Sequence, residues 1–515
     1  MTWFWITLAV IVLILISIVI FDVTQKKHAI LHNFPILGHF RYLLEAIGPE
    51  LRQYIVTDND EERPFSRDQR RWVYSSSKKE NNYFGFGTDN DLELSPNYII
   101  VKHAAFPLDH PSHPGEPGYD PSCHLPCGKI FGEFRKRPKA FRPQSMVYVS
   151  GMSFGSLGAV AVEAMNRGCQ LAGALHNTGE GGLSRHHLHG ADVILQVGTA
   201  YFGVRDREGR FSLDKLVETV EAHPQIRAIE IKLSQGGKAG IGGLLPGEKV
   251  TPEIAEARGI EVGVTCASPP GHKEFRDADG LLDFIEKLAS ATGLPVGIKS
   301  AVGETKFWTD LARLSATTDR APDFIVIDGG EGGTGAGPLA YTDHVALPFK
   351  LGFTRVYREF LRHGMTDKIA FVGSGKLGFP IESLLACALG CDMIAVAREA
   401  MLSIGCIQAQ RCHTGHCPAG IATHHPWLMA GLDPTSKSGR LANYLVTLRK
   451  EILKLSHSCG VEHPHLLTPD HFEIIDDRFG SASLETIFGF DQAIPRPSDE
   501  EQKAIADLMR DLGKN

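Results

Sequence analysis

Three closely spaced cysteines are the residues of this chain best suited to bind a metal. Cys406, Cys412 and Cys417 lie within the segment GCIQAQRCHTGHCPAGIAT, which is rich in turn-forming residues. Thiolates at such spacing on a turn-rich loop suit an iron–sulfur cluster. His413 or His416 could instead complete a tetrahedral zinc site with the same thiolates. The spacing therefore predicts a metal centre and leaves both metals open.

Two lysines stand at the ends of apolar runs that are typical of buried β-strands. Lys232 ends the run before the segment LSQGGK, and Lys299 ends the run PVGIK. A lysine that faces an enclosed site is costly unless an anion or an electron-rich ligand pairs with it. A cation next to a flavin stabilises the reduced, anionic ring. These positions therefore favour a flavin site, with structural ion pairs as the alternative.

Glycine-rich segments follow several of the same apolar runs. The segments DGGEGGTGAG at 328–337 and GSGKLG at 373–378 are the richest, and Arg398 ends a later run. Such loops expose backbone N–H groups that can cradle a phosphate. One glycine loop is weak evidence because turns need glycine. Two successive loops followed by an arginine predict a phosphate site.

The elements that must position these residues are eight apolar runs that alternate with helical patterns such as 213–222 and 277–290. This alternation is typical of parallel βα units. Eight units fit a closed (β/α)₈ TIM barrel, an α/β fold in which ligands bind where the strands end. The predicted strands are 146–150, 173–177, 192–197, 228–233, 295–299, 323–328, 369–373 and 392–397.

An uncharged apolar segment, residues 3–21, precedes everything else. Its length is near the minimum for a helix that crosses a bilayer. A signal peptide is the alternative, but no basic residue precedes the segment and no A-x-A-like site follows it. Lys26 and Lys27 follow directly, so the positive-inside tendency places the remaining chain in the cytoplasm. We predict a single-pass membrane anchor with a cytoplasmic catalytic domain.

The flanking regions and the overall composition limit the function classes. Cys123 and Cys127 lie in a segment rich in proline and histidine and could hold a metal, but no second cysteine pair is near. A proline-stiffened loop packed on the barrel is the favoured interpretation.

The overall composition limits the function classes. Ten scattered cysteines do not resemble a disulfide framework. A net charge of −7 without a basic run excludes nucleic acid as the expected partner.

The predicted organisation has five parts. They are a transmembrane anchor at 1–25, an irregular N-terminal extension at 26–144, the ligand-binding barrel at 145–405, the cysteine loop at 406–426, and a helical C-terminal cap or tail at 427–515.

Taken together, the motifs resemble the FMN-binding domain of glutamate synthases, in particular stand-alone glutamate-synthase-like proteins without a glutaminase domain. The matching motifs, in order, are GMSFGSLG, NTGEGG, IKLSQGGKAGIGGLLPGEKV, CASPPGH, GGTGAGP and the cysteine loop. The resemblance implies that FMN delivers a hydride to 2-iminoglutarate, which forms from 2-oxoglutarate and ammonia. It also implies a [3Fe-4S] cluster on Cys406, Cys412 and Cys417, and so favours iron–sulfur over zinc.

The resemblance also implies roles for individual residues. The implied FMN residues are Ser153, Asn177, Thr178, Gln196, Lys232, Ser268 and Lys299, with the phosphate on Gly332, Gly333, Gly375 and Arg398. The implied catalytic residues are Lys232, Lys238 and Glu180, and the implied substrate residues are Gln235, Lys238 and Arg258. A dicarboxylate needs cations, which Lys238 and Arg258 can supply. By its local pattern alone, Arg258 could equally be a surface arginine that ends a helix.

Two departures from the family pattern concern the substrate. The family reads SGRFG where this chain has GTAYFG at 198–203, so Tyr201 replaces an arginine, and it reads KPGEGG where this chain has KAGIGG at 238–243. These changes leave open another 2-oxo acid or imine, or an electron-transfer or redox-sensing role.

The ammonia and the electrons for the family's reaction are expected to come from partner proteins. No cysteine precedes Cys123, and no G-x-G-x-x-G follows an early strand. Ammonia and electrons are therefore expected from outside, the electrons from a ferredoxin or a membrane donor. A homo-oligomer is left open by the sequence.

Overall fold

A computed structural model describes residues 2–25, 27–111, 113–116, 119–476, 478, 480–490, 494–495 and 497–512. The chain divides by its internal contacts into two compact units, Met1–Arg71 and Trp72–Asn515. Met1 and Lys26, which belong to the anchor and orientation predictions, lie outside the described residues.

The first unit is helical. Its elements are α1 (Thr2–Thr24), α2 (Ala29–Asn33), α3 (Leu37–Leu51), a π-helical turn (Arg52–Val56) and the start of α4 (Arg67–Lys78). Within the described ranges, α1 is the helix that is long and apolar enough to cross a membrane, with a mean hydropathy of 3.1 in its most apolar window. The part of the predicted irregular extension between residues 29 and 78 is thus mostly helical, whereas the described residues from 79 to 144 contain no helix.

The second unit is built on a closed barrel of eight parallel strands, which confirms the predicted TIM barrel. Each barrel strand falls within or next to one of the eight predicted apolar runs. The strands of the chain are β1 (Tyr98–Val101), β2 (Val147–Val149), β3 (His176–Asn177), β4 (Val193–Val197), β5 (Ile226–Lys232), β6 (Leu244–Leu245), β7 (Cys266–Ala267), β8 (Val296–Ser300), β9 (Phe324–Asp328), β10 (Ala370–Ser374), β11 (Met393–Val396), β12 (Phe472–Ile475) and β13 (Ser481–Ala482). The barrel runs β2-β3-β4-β5-β8-β9-β10-β11 and closes where β11 pairs with β2. The strands β6 and β7 form a short antiparallel pair after β5.

Helices connect the barrel strands. They are α5 (Ala159–Ala172), α6 (Leu213–Ala222), α7 (Pro252–Arg258), α8 (Ala278–Thr292), α9 (Lys306–Thr317), α10 (Leu339–His344), α11 (Phe349–Arg362), α12 (Pro380–Ala388) and α13 (Arg398–Ser403). Side chains at their first turns satisfy free backbone donors, as when Ser212 accepts a hydrogen bond from Lys215 N in α6 and Asp277 accepts one from Gly280 N in α8. The predicted helical segments 213–222 and 277–290 correspond to these two helices.

The segment before β2 closes the barrel at the amino-terminal end of its strands. Phe131 stacks on Phe324 with ring centroids 4.7 Å apart, and Phe131 also exchanges backbone hydrogen bonds with Phe141. Cys127 is fully buried in the same cluster. Burial raises the pKa of Cys127 to about 12 and that of Cys123 to about 11, so both side chains stay as thiols. These features favour the packed loop over the metal site for this cysteine pair.

The region after residue 426 contains helices and a small sheet. Its helices are α14 (Pro426–Met429), α15 (Pro434–Ser458), α16 (Leu484–Phe488) and α17 (Asp499–Leu512). In addition to these predicted helices, β12 pairs antiparallel with β1, so that Val101 lies opposite Phe472. Two four-residue strands so far apart in sequence leave no local pattern, and the sequence did not predict this sheet.

Candidate active site

The carboxyl ends of the barrel strands open into one cavity, which brings together most of the predicted site residues. Cys412, from the cysteine loop, lines the same cavity. The predicted residues that line it are Ser153, Glu180, Gln196, Lys232, Gln235, Lys238, Lys299, Gly332, Gly333, Gly375 and Arg398. Parallel strands of a barrel all end on the same face, so residues far apart in sequence converge there.

A carboxylate between two lysines forms one wall of the cavity. Lys232 Nζ donates to Glu180 Oε1 and to Gln235 Oε1, each at 2.6 Å, and Lys238 Nζ lies 3.8 Å from Glu180 Oε1. Burial opposes the ionisation of Glu180, but the two lysines outweigh it and lower the pKa of this carboxyl to about 2. Burial also lowers the pKa of Lys232, against the opposite effect of Glu180. The wall therefore holds an ionised carboxylate beside a lysine that gives up its proton more readily than usual.

Gly243 allows this group of side chains to come close together. A Cβ atom at position 243 would lie 3.3 Å from Lys238 Nζ and 3.5 Å from Glu180 Oε1. It would also lie 3.6 Å from the Oγ of Ser268, whose backbone N donates to Gly243 O at 2.8 Å. Ser268 thus lies beside the lysines, although it does not line the main cavity.

Lys299 and Asp328 form a second charged pair at the base of the cavity. Lys299 Nζ lies 3.1 Å from Ser150 Oγ and 3.6 Å from Asp328 Oδ2. Asp328 also accepts hydrogen bonds from Ser374 Oγ at 2.7 Å and from Gly236 N at 3.0 Å. One aspartate therefore fixes the ends of several barrel strands around the lysine.

The two glycine loops and Arg398 form the opposite wall. Gly333 lies so close to Arg398 that an added Cβ would be 2.8 Å from Arg398 Cδ, and Gly375 has a φ of +128° that favours glycine. Arg398 donates to the carbonyl oxygen of Glu331, which holds the guanidinium against the first loop. Lys376, inside the second loop, also lines the cavity. Backbone N–H groups, an arginine and a lysine make this wall suitable for a phosphate.

A buried carboxylate below the cavity is a residue that the sequence analysis missed. Glu230 Oε1 accepts from Gln196 Nε2 at 2.5 Å and from Asn177 Nδ2 at 2.9 Å. Its other oxygen has no hydrogen-bond partner among the described residues, and burial raises the pKa of this carboxyl. Because the amide nitrogen of Gln196 is committed to Glu230, its oxygen is left as an acceptor for a ligand. The available signal was a glutamate in the apolar strand IEIK.

Three predicted site residues support the cavity without lining it. Asn177 bonds to Glu230, and Thr178 Oγ1 accepts from Gln196 N at 3.0 Å, so both position Gln196. Arg258 is buried, which contradicts its interpretation as a surface arginine. Its guanidinium donates to Phe154 O at 3.1 Å and lies 5.0 Å from the centre of the Phe202 ring.

Tyr201, the first departure from the family pattern, lies outside the cavity wall. Its hydroxyl accepts a hydrogen bond from Lys273 N at 2.9 Å and lies 3.2 Å from His272 Nδ1. His272 Nε2 in turn donates to Lys232 O at 2.9 Å. Tyr201 therefore stabilises the strand end that carries Lys232, and its replacement of an arginine takes no charge from the cavity of this chain.

The cysteine loop is held in place by contacts from two distant segments. Tyr74 Oη donates to Cys406 O at 2.7 Å, and Lys249 Nζ donates to His413 O at 3.1 Å. A tetrahedral zinc site with Zn–S bonds of about 2.3 Å needs sulfur atoms about 3.8 Å apart. In the part of the chain that the structure describes, the three thiols do not form a group whose sulfurs all lie within 4.8 Å of one another.

Comparisons of the sequence with known proteins identify the family to which this chain belongs. A family model described as the conserved region in glutamate synthase matches residues 131–462. The glutamate synthase large subunit-like protein YerD of Bacillus subtilis is 38% identical over 481 residues, which cover 87% of this chain and 90% of that protein. The archaeal glutamate synthase [NADPH] of Methanocaldococcus jannaschii is 35% identical over 318 residues, which cover 61% of this chain and 59% of that protein. This chain thus belongs to the glutamate synthase family and is a glutamate synthase-like flavoprotein oxidoreductase.

Proposed function

We propose that this chain forms glutamate from 2-oxoglutarate and ammonia, by way of 2-iminoglutarate, with FMN and an iron–sulfur cluster. The observation that carries the proposal is one cavity that unites Glu180, Lys232, Lys238 and Lys299 with Cys412 of the cysteine loop. Membership of the glutamate synthase family supports the choice of reaction.

The cavity residues fit FMN. The phosphate would lie on Gly332, Gly333, Gly375 and Arg398, which line one wall of the cavity. The ring would meet the free oxygen of Gln196 and the positive charge of Lys299, with Ser153 in the cavity wall. When bound, FMN supplies the hydride chemistry of the reaction.

The lysine wall suits the formation of the imine. Lys238 and Gln235, which line the cavity, would bind a dicarboxylate, and Glu180 keeps the lysines in place. The buried Arg258 would add positive charge near Glu180 without touching the substrate. When ammonia adds to the 2-oxo group, a C–N bond forms, and loss of water then breaks a C–O bond and requires a proton on the leaving oxygen. We assign that proton to Lys232 Nζ, because burial lowers the pKa of this amine.

The test of the reaction is a single turnover with the purified, photoreduced protein. Addition of 2-oxoglutarate and ammonium is expected to reoxidise the flavin and to form glutamate in equal amount. The 2-oxo acid without ammonium is the control, and Lys238→Met should weaken the response to 2-oxoglutarate. Failure to form glutamate sinks the synthase proposal and leaves the flavin site standing.

A second candidate is the same chemistry on another 2-oxo acid or imine. The segment from Lys238 to Gly243 lacks the proline and the glutamate of the family pattern. It lines a small pocket that shares Lys238 and Glu180 with the cavity. Turnover with pyruvate and ammonium, but not with 2-oxoglutarate, would support this candidate. Reoxidation by electron acceptors without any amino-acid product would instead support an electron-transfer or redox-sensing role.

We propose a [3Fe-4S] cluster on Cys406, Cys412 and Cys417, which takes electrons from a ferredoxin or a membrane donor. Cys412 borders the cavity, so a cluster there would lie beside the flavin site. Cys412→Ser is expected to remove the broad visible absorbance and the bound iron, whereas Cys459→Ser, at a buried thiol outside the loop, should retain both. Stoichiometric zinc in the unsubstituted protein would contradict the cluster.

We also propose that α1 anchors the chain in a membrane, with the barrel in the cytoplasm. The support is the length and hydropathy of α1 and Lys27 just after it. In cell fractionation, the full chain should follow the membranes, and deletion of residues 1–25 should move most of it to the soluble fraction. A full chain found in the soluble fraction, or cleaved after α1 as a signal sequence would be, contradicts the anchor.

A further inference from the structure

The helix α3 presents an apolar face to the outside of the protein. Its large apolar side chains recur at intervals of three and four residues and are between 38% and 73% exposed. They are Leu37, Phe40, Leu43, Leu44, Ile47 and Leu51. A soluble monomer rarely leaves a continuous apolar stripe of this kind exposed. We therefore expect another molecule or a lipid surface to cover these side chains.

Two charged residues of α3 lie outside the apolar stripe. At about 100° per residue, the six apolar side chains fall within an arc of roughly 120°, whereas Arg41 and Glu45 point away from it. Ile55 and Val56, in the π-helical turn that follows α3, are also about three quarters exposed. A helix with one exposed apolar face of this width can lie in the plane of a membrane interface.

Specific hydrogen bonds connect the start of α3 to the end of α1. Asp22, at the C-terminal end of α1, is fully buried. Its carboxylate accepts from Ile36 N at 3.1 Å and lies 2.9 Å from Nε2 of His39, in the first turn of α3. The exposed stripe of α3 therefore begins where the long apolar helix ends.

We propose that α3 is a second membrane contact, which lies flat at the boundary between lipid headgroups and acyl chains with its apolar stripe in the lipid. The inference rests on the proposed anchoring by α1. It commits to a bilayer rather than a protein partner, because α3 starts at the end of a helix whose apolar side chains are all outside the protein core. If α1 crosses the bilayer, its C-terminal end lies at the membrane surface, and α3 therefore begins at that surface.

The test uses the full chain in phosphatidylcholine vesicles whose acyl chains carry bromine, a short-range quencher of tryptophan. Phe40→Trp places the probe in the stripe, and Glu45→Trp places it on the same helix outside the stripe. The five native tryptophans give a background, which the unsubstituted chain measures. Bromine is expected to quench the added emission of Phe40→Trp at least twofold more than that of Glu45→Trp.

The outcomes separate the helix from the anchor. Equal quenching of the two probes, or quenching of the Phe40→Trp probe by aqueous iodide but not by bromine, overturns the flat interfacial helix. A protein that does not float with the vesicles overturns the anchoring by α1 itself. Flavin absorbance in each variant verifies that the barrel is folded, and glutamate formation tests the proposed reaction independently of both.

Discussion

Lys299 is consistent with both roles that the sequence predicts for it, a structural ion pair and a cation beside a bound ligand. It pairs with Asp328, as a structural lysine would, and it also lines the cavity. The pair leaves Nζ at 3.6 Å from the carboxylate, while Ser150 Oγ lies closer, at 3.1 Å. An amine held by a neutral hydroxyl and a more distant carboxylate keeps positive charge available to a ligand.

Lys299→Met is expected to lower the two-electron midpoint potential of the bound flavin by roughly 30 to 60 mV. The loss of one charged hydrogen bond to the reduced ring, about 1.5 to 3 kcal/mol, corresponds to a change of that size. Spectroelectrochemical titration measures it, with Lys306→Met on the exposed face of α9 as the control. An unchanged or higher potential would show that Lys299 serves only the fold.

Glu230→Gln is expected to weaken FMN binding about tenfold, a loss of roughly 1.4 kcal/mol. A neutral amide is a poorer acceptor than the carboxylate for Gln196 and Asn177, so the oxygen of Gln196 is no longer directed to the ligand. Fluorescence titration of the flavin-free protein with FMN measures the affinity, and Glu221→Gln on α6 is the control. Equal affinities in the two variants would argue against the positioning role of Glu230.

At the scale of elements, α15 connects the C-terminal region to the barrel through a buried arginine. Arg449 donates to Ala172 O, the last carbonyl of α5, and to Ser122 O, both at 2.8 Å. The last carbonyls of a helix lack partners within it and carry the negative end of its dipole. Burial lowers the pKa of Arg449, so these carbonyl contacts compensate for its desolvation.

Arg449→Ala is expected to reduce the free energy of unfolding by about 3 kcal/mol, because two charged hydrogen bonds and the packing of the stem are lost. Chemical denaturation, followed by far-UV circular dichroism, measures the change. Lys454→Ala, at an exposed position of the same helix, should change the stability by less than about 0.5 kcal/mol. A similar small change for Arg449→Ala would show that α15 is held by its apolar contacts alone.

At the scale of the whole molecule, buried neutral histidines make the protein sensitive to mild acid. Burial lowers the pKa of His176 and of His463 to about 3, and it lowers that of His187 well below its usual value. Between pH 6.5 and pH 3, the unfolded chain binds protons at these positions that the folded chain does not. The stability therefore decreases as the pH falls through this range.

Each such histidine contributes a slope of up to about 1.4 kcal/mol per pH unit below pH 6.5. His463 Nε2 donates to Pro126 O at 3.0 Å, and its Nδ1 accepts from His465 N at 3.0 Å. Both nitrogens of the neutral ring are therefore hydrogen-bonded. His463→Gln should reduce the slope between pH 6.5 and pH 5 by up to this amount. Thermal unfolding across that range measures it, with the exposed His103→Gln as the control; identical slopes would contradict the assignment.

The sequence by itself determined the barrel and the chemical character of its mouth. Apolar runs such as 295–299 and 323–328 are short, regular and bounded by glycine-rich loops, and these local properties specify parallel strands. Once eight strands close, Lys232 and Lys299 reach the same face because each ends its strand. The cysteine spacing is also a local property, and it indicated a metal centre without the fold.

Only the tertiary structure decided which residues border the cavity and which support it. Gln196 lines the cavity, whereas Glu230 on the neighbouring strand lies beneath it, a difference that depends on the barrel register. The burial of Arg258 and the supporting position of Tyr201 depend on loops that meet far from each other in sequence. The pairing of β1 with β12 has the same origin, because a hydrogen-bonded partner hundreds of residues away leaves no trace in the local pattern.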